Sequence, residues 1–390
     1  MLHGLIELPW WGYIVVALAL THITIAAVTI YLHRHSAHRA LDLHPVPAHF
    51  FRFWLWLTTS MGTQQWTAVH RKHHARCETA DDPHSPQVLG INKVLWEGAE
   101  LYSAAKNDRE MLETFGRGCP DDWIERKLYQ PHQNKGIVLM LLIDLLLFGP
   151  IGMTIWAVQM IWIPLFAAGV INGIGHYWGY RNFQSDDAST NIVPWGILIG
   201  GEELHNNHHA FASSARLSNR WYEFDIGWLY IRILETLGLA TVKKVAPRLK
   251  TGEAKATCDS ATLQAIITHR STVLKQFTTD IKATCAAELA RLRAQHPGPA
   301  IRWSTLRRWL HLDKAALPAA EQERVSSQLR ASTVIETVRS MRQELAELWA
   351  RSNDSTEQLV QRLNDWCQRA EASGVEALAT FSRRLRSYAV

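Results

Sequence analysis

Nine of the nineteen histidines in this 390-residue chain stand in three short clusters and one single position. The clusters read HRHSAH, HRKHH and HNNHH, the single histidine closes the segment NGIGH, and each cluster borders an apolar stretch. Neutral imidazole is the commonest metal ligand in proteins, and nine such side chains exceed what one ion can bind. The sequence therefore indicates two metal ions, with these candidate ligands: His33, His38, His70, His73, His74, His176, His205, His208 and His209.

The spacing within the clusters suits ligands that serve two ions. At about 100° per residue, His70 and His74 lie on one face of a helix, and His73 lies on the other side of His70. One turn of HxxHH can therefore offer ligands to two neighbouring ions, and HNNHH repeats the arrangement. His33 and His38 are five residues apart and would diverge on a regular helix, so we expect the helix to end or bend there.

The donor set favours iron among the metals that imidazole binds. Imidazole-rich ligation suits Fe, Zn, Cu or Ni, but structural zinc often includes cysteine, and no cysteine joins these clusters. Two histidine-bound ions beside an apolar membrane interior indicate O₂ activation on a hydrocarbon. A non-haem iron pair with O₂ can oxidise an unactivated C–H bond, whereas zinc is redox-silent.

Composition argues against some classes of protein. The net charge of +5 is mild and no basic run is interleaved with aromatic residues, so nucleic acid is not an expected partner. The five cysteines are scattered without a CxxC pair, which fits a reducing compartment better than a disulfide framework. The N-terminus lacks a basic region, so a cleavable signal peptide is not expected.

Apolar stretches predict three membrane crossings, each of which takes roughly 20 residues. We expect spans at about 8–31, 136–154 and 156–177, the last two forming a hairpin interrupted by glycine and proline. A fourth stretch, 49–66, is aromatic and apolar but should not cross the bilayer. If it crossed, HRHSAH and HRKHH would face opposite compartments and could not share a metal site.

The distribution of basic residues sets the orientation. Residues 67–135 contain ten Lys or Arg, whereas residues 1–10 and the hairpin tip contain none. By the positive-inside rule, the clusters and the C-terminus are cytoplasmic. The sequence thus predicts an all-α protein, with an integral membrane domain in residues 1–250 and a cytoplasmic helical extension in residues 251–390.

Two further regions allow more than one interpretation. Residues 221–244 are amphipathic with basic residues at the end, and they form either a helix on the membrane surface or an ordinary core helix. The extension shows helical periodicity over 256–296, 318–350 and 354–386. It contains no haem-binding pair, CxxC or glycine-rich nucleotide loop. Its role stays open between docking an electron carrier, self-association and stabilising the cytoplasmic part.

As an ordered set, HRHSAH, HRKHHARCETADDPHSP, NGIGH and GEELHNNHH resemble the motifs of the membrane-bound fatty-acid desaturases. The similarity is greatest to the Δ9 acyl-CoA branch, that of animal stearoyl-CoA desaturase and its bacterial relatives, and it spans residues 10–245. The resemblance implies a helical membrane protein with a cytoplasmic histidine-rich cap, two non-haem iron ions and O₂ as co-substrate. For a bacterial member it implies a multi-pass protein of the inner membrane with a cytoplasmic active site.

The resemblance also implies which residues bind each iron. Matched by position, one iron takes five histidines: His33, His38, His70, His74 and His208. The other iron takes four: His73, His176, His205 and His209. Asn172 lies close to the second iron, and Trp66 matches a tryptophan that shapes the bend of the acyl tunnel. Glu78, Asp82 and Glu202 flank the clusters, and they either accept hydrogen bonds from the ligand rings or serve as helix caps and loop residues.

Two features depart from the animal enzymes. One span precedes the first cluster, where those enzymes have two. Ala68 stands where they carry an arginine that contacts the CoA phosphates. Acyl-lipid or carrier-bound acyl chains therefore stay open as substrates beside acyl-CoA.

Other polar residues near the clusters have either a functional role or an ordinary structural one. Four histidines that do not match ligand positions are expected at the surface or as helix caps: His35, His44, His49 and His84. Five basic residues either bind a phosphate-bearing headgroup or face water and lipid phosphate: Arg71, Lys72, Arg76, Arg216 and Arg220. Asp144, the only acid in the hairpin, is either functional or bonded to a neighbouring helix.

The leading interpretation is an O₂-dependent desaturase that introduces a cis double bond, at Δ9, into a saturated fatty acyl chain, with acyl-CoA as the favoured substrate. A di-iron hydroxylase of alkyl chains is the alternative enzyme, and a membrane metal-binding or transport protein is the alternative of another class. Reduction of O₂ to two waters takes four electrons, and the acyl chain supplies two. We therefore expect membrane lipid as one partner and an external electron donor as another, either a ferredoxin or a flavoprotein reductase that uses NAD(P)H.

Overall fold

The computed structural model describes residues 4–183, 185, 187–295, 305–306, 323, 332–348 and 354–389. The chain divides into two compact units, an N-terminal unit of residues 1–246 and a C-terminal unit of residues 247–390, close to the expected boundary at residue 250. The described residues are mostly helical. Three short pairs of strands correct the all-α expectation.

The N-terminal unit is built from helices that follow one another closely. Its α-helices are α1 (Trp10–Ala26), α2 (Pro45–Thr58), α3 (Thr63–Arg76), α4 (Pro86–Leu89), α5 (Ile91–Ala105), α6 (Arg109–Phe115), α7 (Gln133–Phe148), α8 (Ile151–Trp162), α9 (Asn172–Ile174), α10 (His205–Ala210) and α11 (Ile226–Thr236). Its π-helices are π1 (Ala27–Ala37), π2 (Glu125–Tyr129) and π3 (Ile163–Ile171). Its strands form an antiparallel and a parallel pair, β1 (Leu41–Leu43) with β4 (Ala240–Val242) and β2 (Trp195–Gly196) with β3 (Phe224–Asp225).

Two helices in the described part of the chain are long and apolar enough to cross a membrane. They are Trp10–Ala37, which joins α1 to π1, and Ile151–Ile174, which joins α8 to π3 and α9. α7, the other arm of the hairpin, has 16 residues. It is about 24 Å long at 1.5 Å per residue, which is shorter than the roughly 30 Å hydrocarbon core of a bilayer.

The hairpin turns at the glycine and proline that interrupt the apolar stretch, before the expected span limits at 154 and 156. α7 ends at Phe148 and α8 begins at Ile151, whereas the expected spans met between residues 154 and 156. Gly149 has a φ of 67°, a backbone conformation that residues with a side chain rarely adopt, and it ends α7 there. The two arms pack closely, because a Cβ at Gly152 would lie 2.0 Å from the backbone oxygen of Asp144.

The aromatic stretch at residues 49–66 is divided between α2 and α3 rather than forming one helix. α2 has 14 residues and is about 21 Å long, which is shorter than the roughly 30 Å hydrocarbon core of a bilayer. Its one basic side chain, Arg52, is buried and pairs with Asp122 at 2.6 Å and with Glu125 at 2.9 Å. The positive charge of Arg52 in this aromatic stretch is therefore neutralised by carboxylates of the protein itself.

A buried ion pair positions the segment that carries HNNHH. Arg34 follows His33 on π1, and its guanidinium donates to Asp225 Oδ1 at 2.9 Å and to Asp225 Oδ2 at 3.2 Å. The same guanidinium donates to the backbone oxygens of Gly200 and Ala215. Because a bidentate arginine–carboxylate pair has a fixed geometry, the segment before and after α10 is held against π1.

The amphipathic stretch at residues 221–244 contains one helix, α11, followed by β4. Ile231 on α11 is fully buried in the N-terminal unit. Leu229, Ile233 and Leu237 are exposed. One face of this segment is therefore packed in the core, as in a core helix. The other face presents apolar side chains outward, as in a helix on a membrane surface.

The C-terminal unit is a set of shorter helices than the sequence predicts. They are α12 (Ser260–Thr268), α13 (Arg270–Asp280), α14 (Lys282–Gln295), α15 (Thr333–Glu347), α16 (Thr356–Ala372) and α17 (Glu376–Leu385), with the antiparallel strands β5 (Lys250–Thr251) and β6 (Tyr388–Ala389). The expected helix at 354–386 is broken at Gly374, which has a φ of 72°. Of the expected helix at 318–350, residues 332–348 are described and contain α15, and those before 332, apart from 323, lie outside the described residues. Trp366 and Phe381 are buried in the core of this unit.

Candidate metal centre

π1 brings the two histidines of the first cluster together. The backbone N–H of His38 donates to the carbonyl oxygen of His33 at 3.1 Å, a bond across five residues that defines a π-helical turn. The wider turn reduces the angle between positions five apart, and the two ring centroids lie 4.9 Å from each other. The helix widens before it ends at Ala37. The side chains of His33 and His38, which would point apart on a regular α-helix, therefore lie side by side.

α3 divides the second cluster between two sides. His70 Nε2 faces His38 Nε2 at 2.8 Å, and His74 lies on the same face of the helix. His73 lies on the other side, where its Nε2 is 3.4 Å from His209 Nε2. The helical repeat that predicts two sets of ligands from HxxHH is therefore present in the structure.

The first set is called here the five-histidine group, and it contains His33, His38, His70, His74 and His208. His208 Nε2 lies 3.1 Å from His33 Nε2 and 2.8 Å from His74 Nε2. A neutral imidazole has one donor and one acceptor nitrogen, so one ring N–H cannot satisfy two such neighbours at once. A cation that accepts the lone pairs of all these nitrogen atoms does satisfy them.

The second set is called here the four-histidine group, and it contains His73, His176, His205 and His209. His176 Nε2 lies 2.9 Å from His205 Nε2. The ring of His209 stacks on that of His74 at a centroid distance of 4.4 Å. The two groups are thus neighbours, joined through α3 and α10, as a site for two adjacent ions requires.

Carboxylates hold the outer nitrogen of several of these rings. In the five-histidine group, His33 Nδ1 lies 2.8 Å from Glu202 Oε1. In the four-histidine group, three rings have such partners through Nδ1: Asp82 for His73 at 3.0 Å, Glu78 for His176 at 3.3 Å and Asp187 for His209 at 2.9 Å. A ring that donates through Nδ1 keeps a lone pair on Nε2, the atom that faces the other histidines.

The sequence analysis proposes Glu78, Asp82 and Glu202 for this role and misses Asp187. Asp187 lies in the segment QSDDAST between the second and third clusters. No spacing rule connects it with His209, 22 residues further on, because their contact depends on the path of the whole segment. Only the abundance of acids beside the clusters could have drawn attention to it.

Burial keeps most of these rings neutral. Burial, followed by the charges of neighbouring side chains, lowers the pKa well below its ordinary value in six of the nine: His38, His70, His74, His205, His208 and His209. The neighbours concerned are almost all imidazoles, whose positive charges would repel one another. A neutral imidazole is the form that binds a metal ion, so these rings are ready to act as ligands near pH 7.

The expectation that His84 lies at the surface or caps a helix is wrong. His84 is 6% exposed, and its ring stacks on that of His73 at a centroid distance of 4.4 Å. Its backbone N–H donates to Asp82 Oδ1 at 3.1 Å, so the loop after α3 folds back toward the histidines. Its Nε2 is buried without a hydrogen-bond partner. His44 caps α2 by accepting from the backbone N–H of Val46, and His49 is exposed, as expected. His35 is instead half-buried within π1, where its Nδ1 lies 3.0 Å from the backbone oxygen of Leu41.

The expectation that no cysteine joins the histidines is also wrong. Cys77 directly follows α3, and its Sγ lies 4.0 Å from His73 Nε2 and 3.9 Å from His176 Nδ1. The spacing of four residues between His73 and Cys77 places both on one side of α3, and this signal was available in the sequence. Burial raises the pKa of the Cys77 thiol, and the carboxylates nearby raise it further.

Basic residues near the clusters have protein partners. Arg71 donates to the backbone oxygens of Ser36, Ala37 and Phe115 at 2.8–2.9 Å, so it joins α3 to the end of π1 instead of binding a headgroup or facing water. Lys72 lies 3.6 Å from a carboxylate oxygen of Asp108. In the hairpin, Asp144 accepts a hydrogen bond from Gln159 of the neighbouring helix, one of the two roles left open for it.

A cavity of about 450 Å³ adjoins the histidines. Its apolar lining includes Val28, Met61, Trp66, Ile137, Trp156, Met160, Ile163 and Ile171. His33, His70 and His205 line it too, together with Asn172, and the ring of Trp66 stacks on that of His70 at a centroid distance of 4.9 Å. This volume lies in the range of small-molecule sites. The cavity therefore offers an apolar ligand a position beside both histidine groups.

The cavity also reaches polar residues. Ser103 and Asn134 are exposed and line the cavity, so it opens to the outside. Lys106 is the one Lys or Arg among the described residues that line it. Asn172, at the start of α9, also lines the cavity.

Comparison with known families covers both units. The family model described as fatty acid desaturase matches residues 8–232, more than half of the chain. A second family model, described as a transposase, matches residues 258–390. This match covers about a third of the chain. The expectation that nucleic acid is not a partner stays a prediction.

Curated relatives resemble the N-terminal unit. The chain is 32% identical to an Arabidopsis thaliana protein named as a probable chloroplast lipid desaturase, over 56% of this chain and 60% of that protein. It is 29% identical to Delta-9 acyl-lipid desaturase 1 of Arabidopsis thaliana, over 60% of this chain and 76% of the relative. It is 31% identical to the sn-1 stearoyl-lipid 9-desaturase of Anabaena variabilis, over 61% of this chain and 86% of the relative.

Proposed function

The chain belongs to the fatty acid desaturase family, a family of enzymes that act on fatty acyl chains, and we propose that it introduces a cis double bond at Δ9 of a saturated acyl chain with O₂ as co-substrate. The observation that carries the proposal is the position of nine histidines, packed ring against ring, beside an apolar cavity whose lining includes His33, His70 and His205. The members of the family and the apolar helices agree in indicating association with a membrane.

The two histidine groups would hold one non-haem iron ion each. The five-histidine group supplies five imidazoles to the first ion, and the four-histidine group supplies four to the second, with Asn172 near it. Bound iron would supply the oxidising power toward a C–H bond that no side chain of this protein has. Glu78, Asp82, Glu202 and Asp187 would keep the ligand rings in the tautomer that presents Nε2.

The cavity would hold the acyl chain beside the two groups. Its apolar walls bind methylene groups without specific polar contacts, and Trp66 closes the lining next to His70. The Δ9 position is supported by the names of two relatives, each of which states position nine. The walls would also exclude water from the oxidation of the C–H bond.

The headgroup of the substrate is the point on which we depart from the sequence analysis. Ala68 stands in place of an arginine that would contact CoA phosphates, and Lys106 is the single cation among the described residues that line the cavity. Several basic side chains would be needed to bind the phosphates of CoA. We therefore favour an acyl group on a membrane lipid, as in the names of the two relatives with position nine, over acyl-CoA, which two other relatives of similar identity have in their names.

The reaction would need electrons from outside the protein. Removing two hydrogens from the acyl chain supplies two of the four electrons that convert O₂ to two waters. The described residues contain no flavin, haem or CxxC motif. A ferredoxin or a flavoprotein reductase that uses NAD(P)H would supply the other two electrons.

We propose a topology in which both histidine groups lie on the cytoplasmic side of the bacterial inner membrane. Trp10–Ala37, α7 and Ile151–Ile174 would be the crossing segments. α2 is only two residues shorter than α7, so its place outside the bilayer follows from the need to gather both histidine groups on one side. Cysteine probes at Leu5 should react from the periplasmic side, and probes at Asp42 and Asn92 should not. Periplasmic reaction at Asn92 but not at Asp42 would contradict this topology.

The test is lipid analysis of a bacterial host that lacks its own desaturase and expresses the full chain. We expect unsaturated chains with the double bond at carbon nine, found first in intact lipids, and two irons per purified chain. The His208→Ala variant, expressed at the same level, is the inactive control. Hydroxylated chains without double bonds would favour the alkyl hydroxylase, and one zinc without iron would refute the proposal.

A further inference from the structure

One contact of α11 reaches far along the first crossing helix. The hydroxyl of Tyr230 on α11 lies 2.7 Å from Nε2 of His22. His22 stands twelve residues after the start of Trp10–Ala37, which is about 18 Å along that helix at 1.5 Å per residue. The hydrocarbon core of a bilayer is roughly 30 Å thick. With Trp10 at the outer boundary of that core, as in the proposed topology, the contact lies about 12 Å short of the cytoplasmic boundary.

A loop that contains Leu198 reaches a similar depth by a separate contact. The backbone oxygen of Leu198 accepts a hydrogen bond from Trp162 Nε1 at 3.2 Å. Trp162 stands eleven residues after the start of Ile151–Ile174, about 17 Å along that helix. The two crossing helices begin near the same level, because the backbone N–H groups of residues 5–6 donate to the oxygens of residues 146–147, beside the hairpin tip. Both contacts therefore lie at the depth of the hydrocarbon core.

The two segments present apolar side chains that the described part of the protein leaves uncovered. Three lie on α11 or at its end with a spacing of four residues, which places them in one stripe: Leu229, Ile233 and Leu237. Three more lie in the loop: Trp195, Ile197 and Leu198. All six are 45–65% exposed and are called here the apolar flank. So many exposed apolar side chains mark a surface that contacts protein or lipid.

The charges of α11 do not oppose immersion in lipid. Arg232 and Glu235 are its only charged residues, and they form an ion pair with each other. The guanidinium of Arg232 lies over the ring of Trp228, 5.6 Å from the centroid. Glu235 accepts a hydrogen bond from the backbone N–H of Val242 at 3.2 Å. Charges at membrane depth are tolerated when they are paired, and a long arginine side chain can also extend toward the interface.

We infer that the apolar flank is immersed in the cytoplasmic leaflet and is covered by the acyl chains of its lipids, an inference that rests on the proposed topology. A second copy of this chain is the alternative occupant. Lipid is favoured because both segments contact the crossing helices at hydrocarbon depth, so the flank continues the lipid-facing surface of those helices. The segment between the loop and α11 carries His205, His208 and His209. The bilayer therefore holds both ends of the segment that brings the third cluster to the other histidines.

The test is photocrosslinking of the wild-type full chain in vesicles of phosphatidylethanolamine and phosphatidylglycerol. A fraction of the lipid carries a diazirine in the middle of an acyl chain, and peptide mass spectrometry locates the adducts. We expect adducts on the six residues of the apolar flank and none on Ile231, which is buried on the other face of α11. A water-soluble diazirine should modify exposed Glu113 on α6 and should not modify the flank.

A substitution in the stripe sharpens the test. Ile233→Asp should remove the acyl-chain adducts at Leu229 and Leu237 and allow the water-soluble reagent to modify them, because an ionised carboxylate is costly at membrane depth. Ile233→Phe is the matched control, since it keeps an apolar side chain at the same position, and its adducts should equal those of the wild type. The measurements on the wild type do not depend on whether Ile233→Asp folds.

Three exposed residues of α7 report the crossing itself: Val138, Leu142 and Leu146. Acyl-chain adducts on α7 with water-soluble adducts on the flank overturn the immersion and leave the topology in place. Water-soluble adducts on both α7 and the flank refute the proposed topology. A flank that neither reagent modifies, beside an α7 that the lipid reagent does modify, is covered by protein. That result also overturns the inference, in favour of a second copy of the chain or another protein.

Discussion

The two histidine groups share α3 and α10, yet their surroundings differ in charge. The five-histidine group has one carboxylate, Glu202, on an outer ring nitrogen, and the positive charge of Arg71 acts on His38. The four-histidine group has three carboxylates on its outer ring nitrogens, and Cys77 lies beside it. The difference teaches that two sites built from the same motif need not hold equivalent ions.

The size of this difference is large enough to matter for electron transfer. At an effective dielectric constant of about 20, two unit charges 5 Å apart interact by about 3 kcal/mol. With an ion in each group, the two additional carboxylates would favour an extra positive charge on the ion of the four-histidine group by several times the thermal energy. The five-histidine group would then hold the less oxidised ion.

The largest effect should come from removing one ligand from either group. In His208→Ala and in His73→Ala we expect formation of the double bond to fall more than about 100-fold, because outer partners alone are worth 10–100-fold. Iron content should fall toward one per chain in each. Iron content and lipid composition measure both effects, with exposed His49→Ala as the control. If His73→Ala kept its activity, the four-histidine group would not be part of the reaction.

Lower pH should destabilise the iron-free protein, chiefly through the five-histidine group. The folded state holds the pKa of six histidines well below 6.5, and four of them belong to this group: His38, His70, His74 and His208. Below pH 6.5 the unfolded state binds protons that the folded state does not bind, so the free energy of unfolding falls as the pH falls. Each such histidine contributes up to about 1.4 kcal/mol per pH unit.

Thermal unfolding of the iron-free protein at pH 7.5, 6.5 and 5.5 measures this effect. We expect a steep loss of stability between the last two values, because the summed effect approaches the whole stability of a typical protein. His70→Gln should reduce the slope by about 1.4 kcal/mol per pH unit. An unfolding temperature independent of pH below 6.5 would mean that these rings are charged in the folded protein.

The sequence predicts local relations at this site and misses those that depend on loops. The division of HxxHH between two groups follows from the repeat of one helix, and the roles suggested for Glu78, Asp82 and Glu202 agree with their contacts to three rings. The position of His84 depends on a loop that folds back after α3, and the position of Asp187 depends on a long segment before α10. Neither relation has a periodicity that a sequence can show.

The fold shows the same limit. Long apolar and periodic runs predict helices, but the breaks within them come from single residues and from packing. Gly149 ends α7 earlier than hydropathy suggests, and Gly374 divides a periodic run in the C-terminal unit. The widening of the first helix into π1 has no signal in the run of apolar residues. Only the five-residue spacing of His33 and His38 indicates this π-helical segment in the sequence.

Removal of single carboxylates should distinguish the two groups. Among the described residues Glu202 is the one carboxylate on a ring of the five-histidine group. In Glu202→Gln we expect about a 100-fold loss of iron affinity there, the upper end of such effects. Asp82→Asn or Asp187→Asn leaves two carboxylates in the other group, and we expect about a tenfold loss. Chelator competition measures both. Equal losses would mean that the count of carboxylates does not set the properties of the groups.

His84 should have a smaller effect that is confined to the four-histidine group. Its ring stacks on His73 and fills space beside the cavity, so His84→Ala should loosen His73 and reduce activity about tenfold, the lower end of the effect of an outer partner. His84→Phe keeps the stacking and should recover most of the loss. Retention of full activity by His84→Ala would support the sequence-based expectation that this residue lies apart from the site.

The smallest effect concerns how the carboxylates are themselves held. Glu202 lies 2.6 Å from the hydroxyl of Thr29, whereas Glu78 accepts from the backbone N–H of Ala188 and Asp82 accepts from backbone N–H groups. A side-chain substitution can therefore loosen Glu202 but not Glu78 or Asp82. In the four-histidine group the carboxylate with hydroxyl donors is Asp187, which accepts from Ser185 and Ser189 at 2.6 Å. Thr29→Val should reduce activity about threefold, which corresponds to a hydrogen bond worth about 0.7 kcal/mol. Thr29→Ser keeps the hydroxyl and should match the wild type. If Thr29→Val and Thr29→Ser were equally active, Glu202 would be held by the protein backbone around it, and the two groups would be alike in this respect.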